Sequence, residues 1–379
     1  MDYRIFVVSA PGMEAITARE LAALGWTAQP VAGGVEFIGA LRDLYRTNLL
    51  LRTASRVTLR LGEFYAAAFS ELRKKASRLP WERCLRPGQP VMVRATCHRS
   101  KLYHSGAVVE RVAGAIGDRL GAPSEVVGWD EESADIPPQM VIVRLFNNQC
   151  TVSVDASGAL LHRRGYRQAT AKAPLRETLA AGMLLASGWD GRSPLLDPFC
   201  GSGTIPIEAA LLARNIAPGR DRRFAFMDWP DFADDVWAEA REAAIAAERS
   251  STPPLLASDR DAGAIRAAET NATRAGVAGD IAFVCQAVSA IAPPSGPGWV
   301  VTNPPYGVRV SAAQDLRNLY AQLGHVLRAH CSGWRVAFLC NDPKLIGQTR
   351  LQLDTSIAWA NGGLRVRLAQ GVVEGSGTA

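Results

Sequence analysis

A chain of 379 residues, 48% hydrophobic and 21% charged, has the composition of a folded protein with room for two or three cores, which excludes a disordered polymer. Seven scattered cysteines without a CxxC pair argue against a disulfide framework, Cys97, His98 and His104 lack metal-ligand spacing so no metal is expected, and no apolar run approaches the roughly 20 residues of a membrane-spanning helix. The net charge of +6 fits a polyanionic partner, although only five of the 42 basic residues are lysine, an arginine bias that genome composition also produces.

The first residues, MDYRIFVVSAPGMEA, carry Asp2 and Arg4 within a short strand pattern rather than a signal peptide, so a cytoplasmic location is expected. Residues 1–55 alternate apolar strands (RIFVVSA, GGVEFIG) with helical stretches (MEAITARELAAL, LRDLYRTNLLL), a small α/β unit too short to hold the main active site. Residues 56–160 read as strand (RVTLRLGEF), helix (FSELRKKASRL), strand (PVMVRATC) and a longer helix following SKLYH. Val108, Val112, Ala115 and Leu120 recur in that helix near helical spacing and form a core stripe. A surface connection, PSEVVGWDEESADIPP, precedes the strands MVIVRLFNN and CTVSVDAS. Residues 161–379 switch to repeated strand, Gly-rich turn and helix, the pattern of a doubly wound, mainly parallel sheet. Its strands fall at PLLDPF, PLLASD, IAFVCQ, GWVVTN and RVAFLC, with a closing pair around TSIAWA and LRVRLAQ close enough for an antiparallel edge hairpin.

Three strand ends carry the chemistry. The first runs Asp197, Pro198, Phe199, Cys200, Gly201, Ser202, Gly203, Thr204, where small residues let the backbone pass close to a ligand before a helix begins. It is a nucleotide-type cradle but neither a P-loop, for want of GK[ST], nor the dinucleotide GxGxxG, because residue 206 is proline. The second ends in Asp259, placed to accept hydrogen bonds from ribose hydroxyls, while Asp261 reads as the cap of the following helix. The third ends in Asn303, Pro304, Pro305, Tyr306 and Gly307. An exocyclic amine on a base is a poor nucleophile because its lone pair is delocalised into the ring. Acceptors aimed at its hydrogens, the Asn303 side-chain oxygen and the Pro304 carbonyl, favour the geometry and charge that develop during attack on a methyl group. The two prolines stiffen the turn, and Tyr306 offers a stacking surface for a base taken out of its stack.

DPFCGSGT, SDRD and NPPYG resemble motifs I, II and IV of class I S-adenosylmethionine-dependent methyltransferases acting on exocyclic amines. LHRRGYRQATAKAPLRETLAAGMLLASGW and NIAPGRDRRFAFMDW are similar to segments of the THUMP-bearing RNA guanosine methyltransferases of the RlmL and TrmN type. VRATCHRSKLYHSGAVVERV looks like the THUMP segment, and the first ~55 residues look like the ferredoxin-like unit that precedes it, so the resemblance covers nearly the whole chain. It implies a Rossmann-like catalytic domain with a seven-stranded mixed sheet, preceded by ferredoxin-like and THUMP α/β domains. A monomer is expected. It implies S-adenosylmethionine contacts from Asp197, Gly201, Gly203, Thr204 and Asp259, with Thr178 near the methionine moiety. Asn303, Pro304 and Tyr306 then recognise the base. One departure stands out: where the family often has an Asp for adenine, FVCQAVSAI places Ala287, so backbone or another side chain must hold that ring. The chain also carries one catalytic domain, unlike fused members with two.

Arg94, His98, Arg99, Ser100, Lys101 and Tyr103 bring cations, hydroxyls and an aromatic together, a kit for phosphate contacts on folded RNA. His162, Arg163, Arg164 and Arg167, at the junction of the two halves, are expected to guide RNA toward the catalytic face. His325 and His330 sit in a helical run and read as structural. The expected activity is methyl transfer to the 2-amino group of a guanosine in ribosomal RNA or tRNA, without metal or covalent intermediate. Adenine at its 6-amino group fits NPPY as well. An inactive RNA-binding assembly factor is a further alternative that Ala287 keeps open, and a nicotinamide oxidoreductase shares the sheet but lacks the Gly pattern.

Overall fold

The computed structural model describes residues 2–128, 138–167, 175–306 and 313–374. Part of the expected surface connection (129–137), the whole of QATAKAP (168–174) and Gly307 lie outside the described residues.

The first lobe runs β1 (Tyr3–Ser9), α1 (Glu14–Ala23), β2 (Gln29–Val31), β3 (Gly34–Gly39), α2 (Leu41–Leu50), β4 (Ala54–Tyr65), α3 (Phe69–Ala76), β5 (Val91–His98), α4 (Ser105–Leu120), β6 (Gln139–Phe146) and β7 (Gln149–Asp155). Its strands form one sheet in the order β2-β3-β1-β4-β7-β6-β5. β4 is 12 residues long and pairs with β1 along its first half and with β7 from Thr58 to Tyr65. The boundary expected at residues 55 and 56 therefore falls inside a strand shared by both units, at a bulge where Ser55 is passed over between the Val8–Arg56 and Ser9–Ala54 pairs. Alternation explains the layering: Ile5, Val7, Val57 and Leu59 point into the core beneath α1 and α2, whereas Arg4 is on the other face. Val108, Val112 and Ala115 of α4 are fully buried, as the helical spacing requires, and Gly121 ends the helix at φ +80°.

The second lobe runs α5 (Glu177–Ala186), β8 (Leu195–Asp197), α6 (Thr204–Ala213), α7 (Asp234–Ala246), β9 (Leu255–Asp259), α8 (Ala262–Arg274), β10 (Ile281–Cys285), β11 (Trp299–Thr302), α9 (Ala313–His330), β12 (Arg335–Cys340), α10 (Pro343–Gln348), β13 (Ala358–Asn361) and β14 (Leu364–Val372). The sheet order is β10-β9-β8-β11-β12-β14-β13; the first five are parallel, and β14 is antiparallel to both its neighbours. The expected seven strands and closing hairpin are thus present, with the strand expected around TSIAWA shortened to Ala358–Asn361. The chain leaves β8 toward β9 and β10, then crosses back to β11 on the other side. This switch brings the carboxyl ends of β8, β9 and β11 together, where open α/β sheets hold their ligands.

Residues 216–237 fasten the lobes together. Phe224, Phe226, Trp229 and Trp237 belong to the core of the first lobe, not of the second. Tyr45 of α2 stacks on Phe226 with ring centroids 4.4 Å apart, Trp229 Nε1 donates to Gln139 Oε1 at 2.7 Å, and the Phe226 amide donates to the Ala156 carbonyl. Arg222 donates to the carbonyls of Ala159, Leu160 and Arg163. Phe224, Phe226 and Trp229 of DRRFAFMDW therefore fill a socket in another lobe.

Candidate active site

The cradle begins where β8 ends. Asp197 is buried, and its Oδ1 accepts from the Thr302 hydroxyl at 2.6 Å and from the Phe199 amide at 3.2 Å. Burial pushes its carboxyl from the ordinary 3.8 up to about 7; the two hydrogen bonds oppose that rise and the nearby Asp259 charge adds to it. The chain then turns through Pro198, Phe199 and buried Cys200, whose amide donates to the Ser258 carbonyl of β9. Burial likewise raises the Cys200 thiol, which is inert as a nucleophile.

Gly201 and Gly203 both adopt left-handed backbone, at φ +52° and +83°. They differ in what surrounds them. A Cβ on Gly201 would meet nothing within 4 Å, whereas one on Gly203 would lie 2.9 Å from Ala268 Cβ of α8. Gly203 thus lets α6 start against α8, and Gly201 leaves its space open for a ligand. The Gly201 amide donates to Asp259 Oδ2 at 3.0 Å, tying the turn to the end of β9, while Asp259 Oδ1 accepts from the Asp261 amide. Asp261 accepts from Gly263 N at 2.7 Å, the cap expected from sequence. Ser202 and Thr204 are buried at the start of α6, and Thr178 is buried in α5. Ala287 is exposed just beyond β10, whose neighbour Gln286 donates its amide to the Asp259 carbonyl.

The second group stands at the end of β11. Asn303 Oδ1 is buried and has no hydrogen-bond partner among the described residues, a state that costs about 1–3 kcal/mol unless a ligand supplies the donor. Pro304 is buried, Pro305 exposed, and the Pro305 carbonyl accepts weakly from Tyr320 Oη of α9 at 3.4 Å. Tyr306 is half-buried between two apolar clusters of this lobe, and its hydroxyl accepts from Asn361 Nδ2 at 2.9 Å. Burial raises its phenol, so it stays neutral.

Sequence reasoning missed four supports: Thr302, Tyr320 and Asn361, and Asn341 just past β12. Asn341 also has a buried, unpartnered side-chain oxygen. Thr302 pairs with Phe338 across β11 and β12, so Asn303 and Asn341 leave adjacent strands within three residues of that pair. The partners of Asp197 and Tyr306 lie 105 and 55 positions away, so no local spacing marks them.

Two of the junction arginines, Arg164 and Arg167, are corrected by the structure. Arg164 is buried, donating to the carbonyls of Leu161 and Arg52 and lying 3.5 Å from Glu208 of α6, which also accepts from Tyr166 at 3.0 Å. Arg167 pairs with Glu177 at 2.7 Å. Burial and the surrounding arginines push His162 down to about 3, so it is uncharged at neutral pH. Arg164 thus ties Arg52 of the first lobe to Glu208 of the second, and Arg167 is engaged within the second lobe, so neither is a surface cation for guiding RNA.

Arg94, His98, Arg99, Lys101 and Tyr103 are exposed on or beside β5, more than 70 residues of chain before the cradle. Arg99 is left-handed at φ +47°, and Ser100 and Lys101 are pinned to the β6–β7 turn: Ser100 Oγ accepts from Asn148 N at 3.0 Å, and the Lys101 amide donates to Asn148 Oδ1 at 2.7 Å.

The open space beside Gly201, the Asp259 carboxylate and the orphaned Asn303 oxygen fit a sulfonium nucleoside cofactor with an amine-bearing acceptor next to it. Comparison with known proteins agrees. Residues 164–372 match the family described as RMKL-like, methyltransferase domain; residues 4–58 match the RlmL ferredoxin-like domain, and residues 66–155 the THUMP domain. A protein of Synechocystis sp. provisionally named an RNA methyltransferase is 36% identical over 95% of this chain and 94% of its own length. A ribosomal RNA large subunit methyltransferase K/L of Syntrophotalea carbinolica is 38% identical over 96% of this chain and 53% of its own length; the chain spans about half of the K/L proteins it matches. A crystal structure provisionally named a methyltransferase, in complex with S-adenosylhomocysteine, superposes with a TM-score of 0.87 at 28% identity, covering 100% of this chain and 99% of that one. Fold and cradle together define a class I methyltransferase whose cofactor is S-adenosylmethionine. Within that class, the chain belongs to the RMKL-like methyltransferase family, with RlmL-type ferredoxin-like and THUMP domains ahead of the catalytic one.

Proposed function

We propose that this protein methylates the exocyclic 2-amino group of a guanosine in structured RNA, with large-subunit ribosomal RNA as the first candidate and tRNA the second. The observation that carries the reading is the buried, unpartnered Asn303 oxygen at the end of β11, next to the cradle built on β8 and β9. The THUMP match and the ribosomal RNA methyltransferase names of the K/L relatives support the substrate class.

When bound, S-adenosylmethionine supplies a methyl group on a positive sulfur. The protein's part is placement. Asp259 takes the ribose hydroxyls; Asp197, Pro198, Phe199, Cys200, Gly201, Ser202, Gly203 and Thr204 line the cradle; Thr178 lies toward the methionine end and Ala287 toward the adenine. Asn303 Oδ1 and the Pro304 carbonyl accept the two amine hydrogens, directing the nitrogen lone pair at the methyl carbon. Pro305 stiffens the turn, Tyr306 stacks on the base with its hydroxyl held by Asn361, and Asn341 meets a further polar edge of the base. The nitrogen gives its surplus proton to solvent after transfer.

The test is deletion of the gene in its host, with nucleosides from purified ribosomal RNA and tRNA compared by mass spectrometry. Loss of an N2-methylguanosine from one pool is expected. Loss of a methyladenosine instead would overturn the base assignment. No loss in either pool, with calorimetry showing no heat on adding cofactor, would establish an inactive RNA-binding factor.

A further inference from the structure

The open face of the first sheet holds a second arrangement. Its strand registers align three rows of outward side chains. Nearest the middle, Arg4, Arg60, Ser153, Ile142 and Arg94 share a row across β1, β4, β7, β6 and β5. The next row is Glu63, Thr151, Arg144 and Thr96. The last, at the end of the sheet beside the Arg99–Tyr103 loop, is Tyr65, Gln149, Phe146 and His98, spanning three inter-strand gaps or roughly 14 Å.

That last row is exposed and aromatic. Tyr65 is 49% and Phe146 42% exposed, and the His98 and Phe146 rings lie parallel within 6°, centroids 5.6 Å apart. Charge divides the face. On the β1 and β4 side the arginines are neutralised: Arg4 pairs with Glu36 and Glu63, and Arg60 with Glu36. On the β5 and β6 side, no acidic side chain among the described residues lies within ion-pair reach of Arg144, Arg99 or Lys101; the Arg144 guanidinium touches the Ala32 carbonyl at 3.4 Å. Exposed aromatics thus sit beside uncompensated cations.

We infer that the Tyr65–Gln149–Phe146–His98 row is a stacking platform for unpaired nucleotides of the RNA substrate, with Arg144, Arg99 and Lys101 on the phosphates. Sheet-borne aromatics take bases in this way because every base has a flat face, and neighbouring cations hold the backbone. Gln149 supplies a donor and an acceptor in the middle of the row. The inference rests on the RNA reading above and adds the element of RNA recognised, single-stranded rather than helical.

The test uses the full chain and a single-stranded RNA hexanucleotide carrying 2-aminopurine, whose fluorescence is quenched on stacking, with methylation of purified ribosomal RNA and tRNA measured in parallel. Saturable quenching is expected. Phe146→Ala, His98→Ala and Tyr65→Ala should each weaken it by roughly tenfold, Phe146→Tyr should retain it, and Phe146→Leu, which keeps apolar area without a π face, should not. Unchanged thermal unfolding checks that the exposed sites tolerate change. Normal methylation with no hexanucleotide binding would overturn the platform while leaving the activity intact. So would equal binding by all variants, or full binding by Phe146→Leu, which would mean that no π face is needed to hold the RNA. Loss of both binding and methylation in the unaltered protein would remove the RNA reading itself.

Discussion

The two seven-stranded sheets serve ligands in opposite ways. The second offers the ends of its strands, where Asp197, Asn303 and Asn341 are buried polar groups with few or no protein partners. The first offers the flat of its face, where Tyr65, Phe146 and Arg144 are exposed and His98 stacks on Phe146. Burial makes each polar group decisive, because an unmet donor or acceptor there costs a full desolvation. Exposure makes each contact small but lets many add along a long polymer. The difference teaches that mutations at strand ends should act steeply and singly, and those on the face gradually and together.

Replacing Asn303 by Ala should show the steep side most clearly: turnover falls at least about 100-fold while the cofactor dissociation constant stays within a few-fold. Single-turnover kinetics with calorimetry checks this, and a near-normal rate would break the contrast. Asp259→Ala comes next, weakening cofactor binding by roughly 10- to 100-fold through loss of charged hydrogen bonds. Gly203→Ala should cost about 1–3 kcal/mol of stability in denaturant unfolding, from a left-handed residue and the Ala268 approach together. On the face, neutralising Arg99 and Lys101 together should lower RNA affinity several-fold and flatten its dependence on log salt by about two phosphates. An unchanged slope would move the phosphate contacts elsewhere.

A further effect at the strand ends is one of pH. Asp197 is raised from 3.8 to about 7, so between those values the unfolded chain has released a proton that the folded chain keeps. Cofactor-free stability should therefore fall as pH rises through about 4 to 7 and level off above. Asp197→Asn should lessen that fall, leaving a residual slope from Glu177, which burial also raises to about 7. Chemical denaturation at pH 5 and pH 8 measures the difference; an unaltered slope would mean Asp197 is ionised in the fold.

What could be read from sequence was what is local. DPFCGSGT announces a strand, a tight turn and a helix within ten residues, and Asp261 caps α8 as its position before AGAIRAAE implies. The helical stripe on α4 needed only a period. Long-range pairings were invisible: Asp197 with Thr302, Tyr306 with Asn361, and the alignment of Tyr65 with His98 through two intervening strands. Charge without burial misled as well. HRRGYR reads as a cationic surface, yet Arg164 and Arg167 are consumed by Glu208 and Glu177. Nor did composition show that β4 belongs to two units at once.

The aromatic segment of the second lobe seated in the first has a bearing on how the molecule can be taken apart. Cut free near residue 161, the catalytic half would carry Phe224, Phe226, Trp229 and Trp237 with nothing to cover them. Tyr45, Gln139 and Ala156 form the matching socket and would be left vacant in the other half. The catalytic lobe is consequently no interchangeable cassette. Grafting it onto a different recognition module would require rebuilding that socket, and lineages that exchange such modules must carry plug and socket as one inheritance.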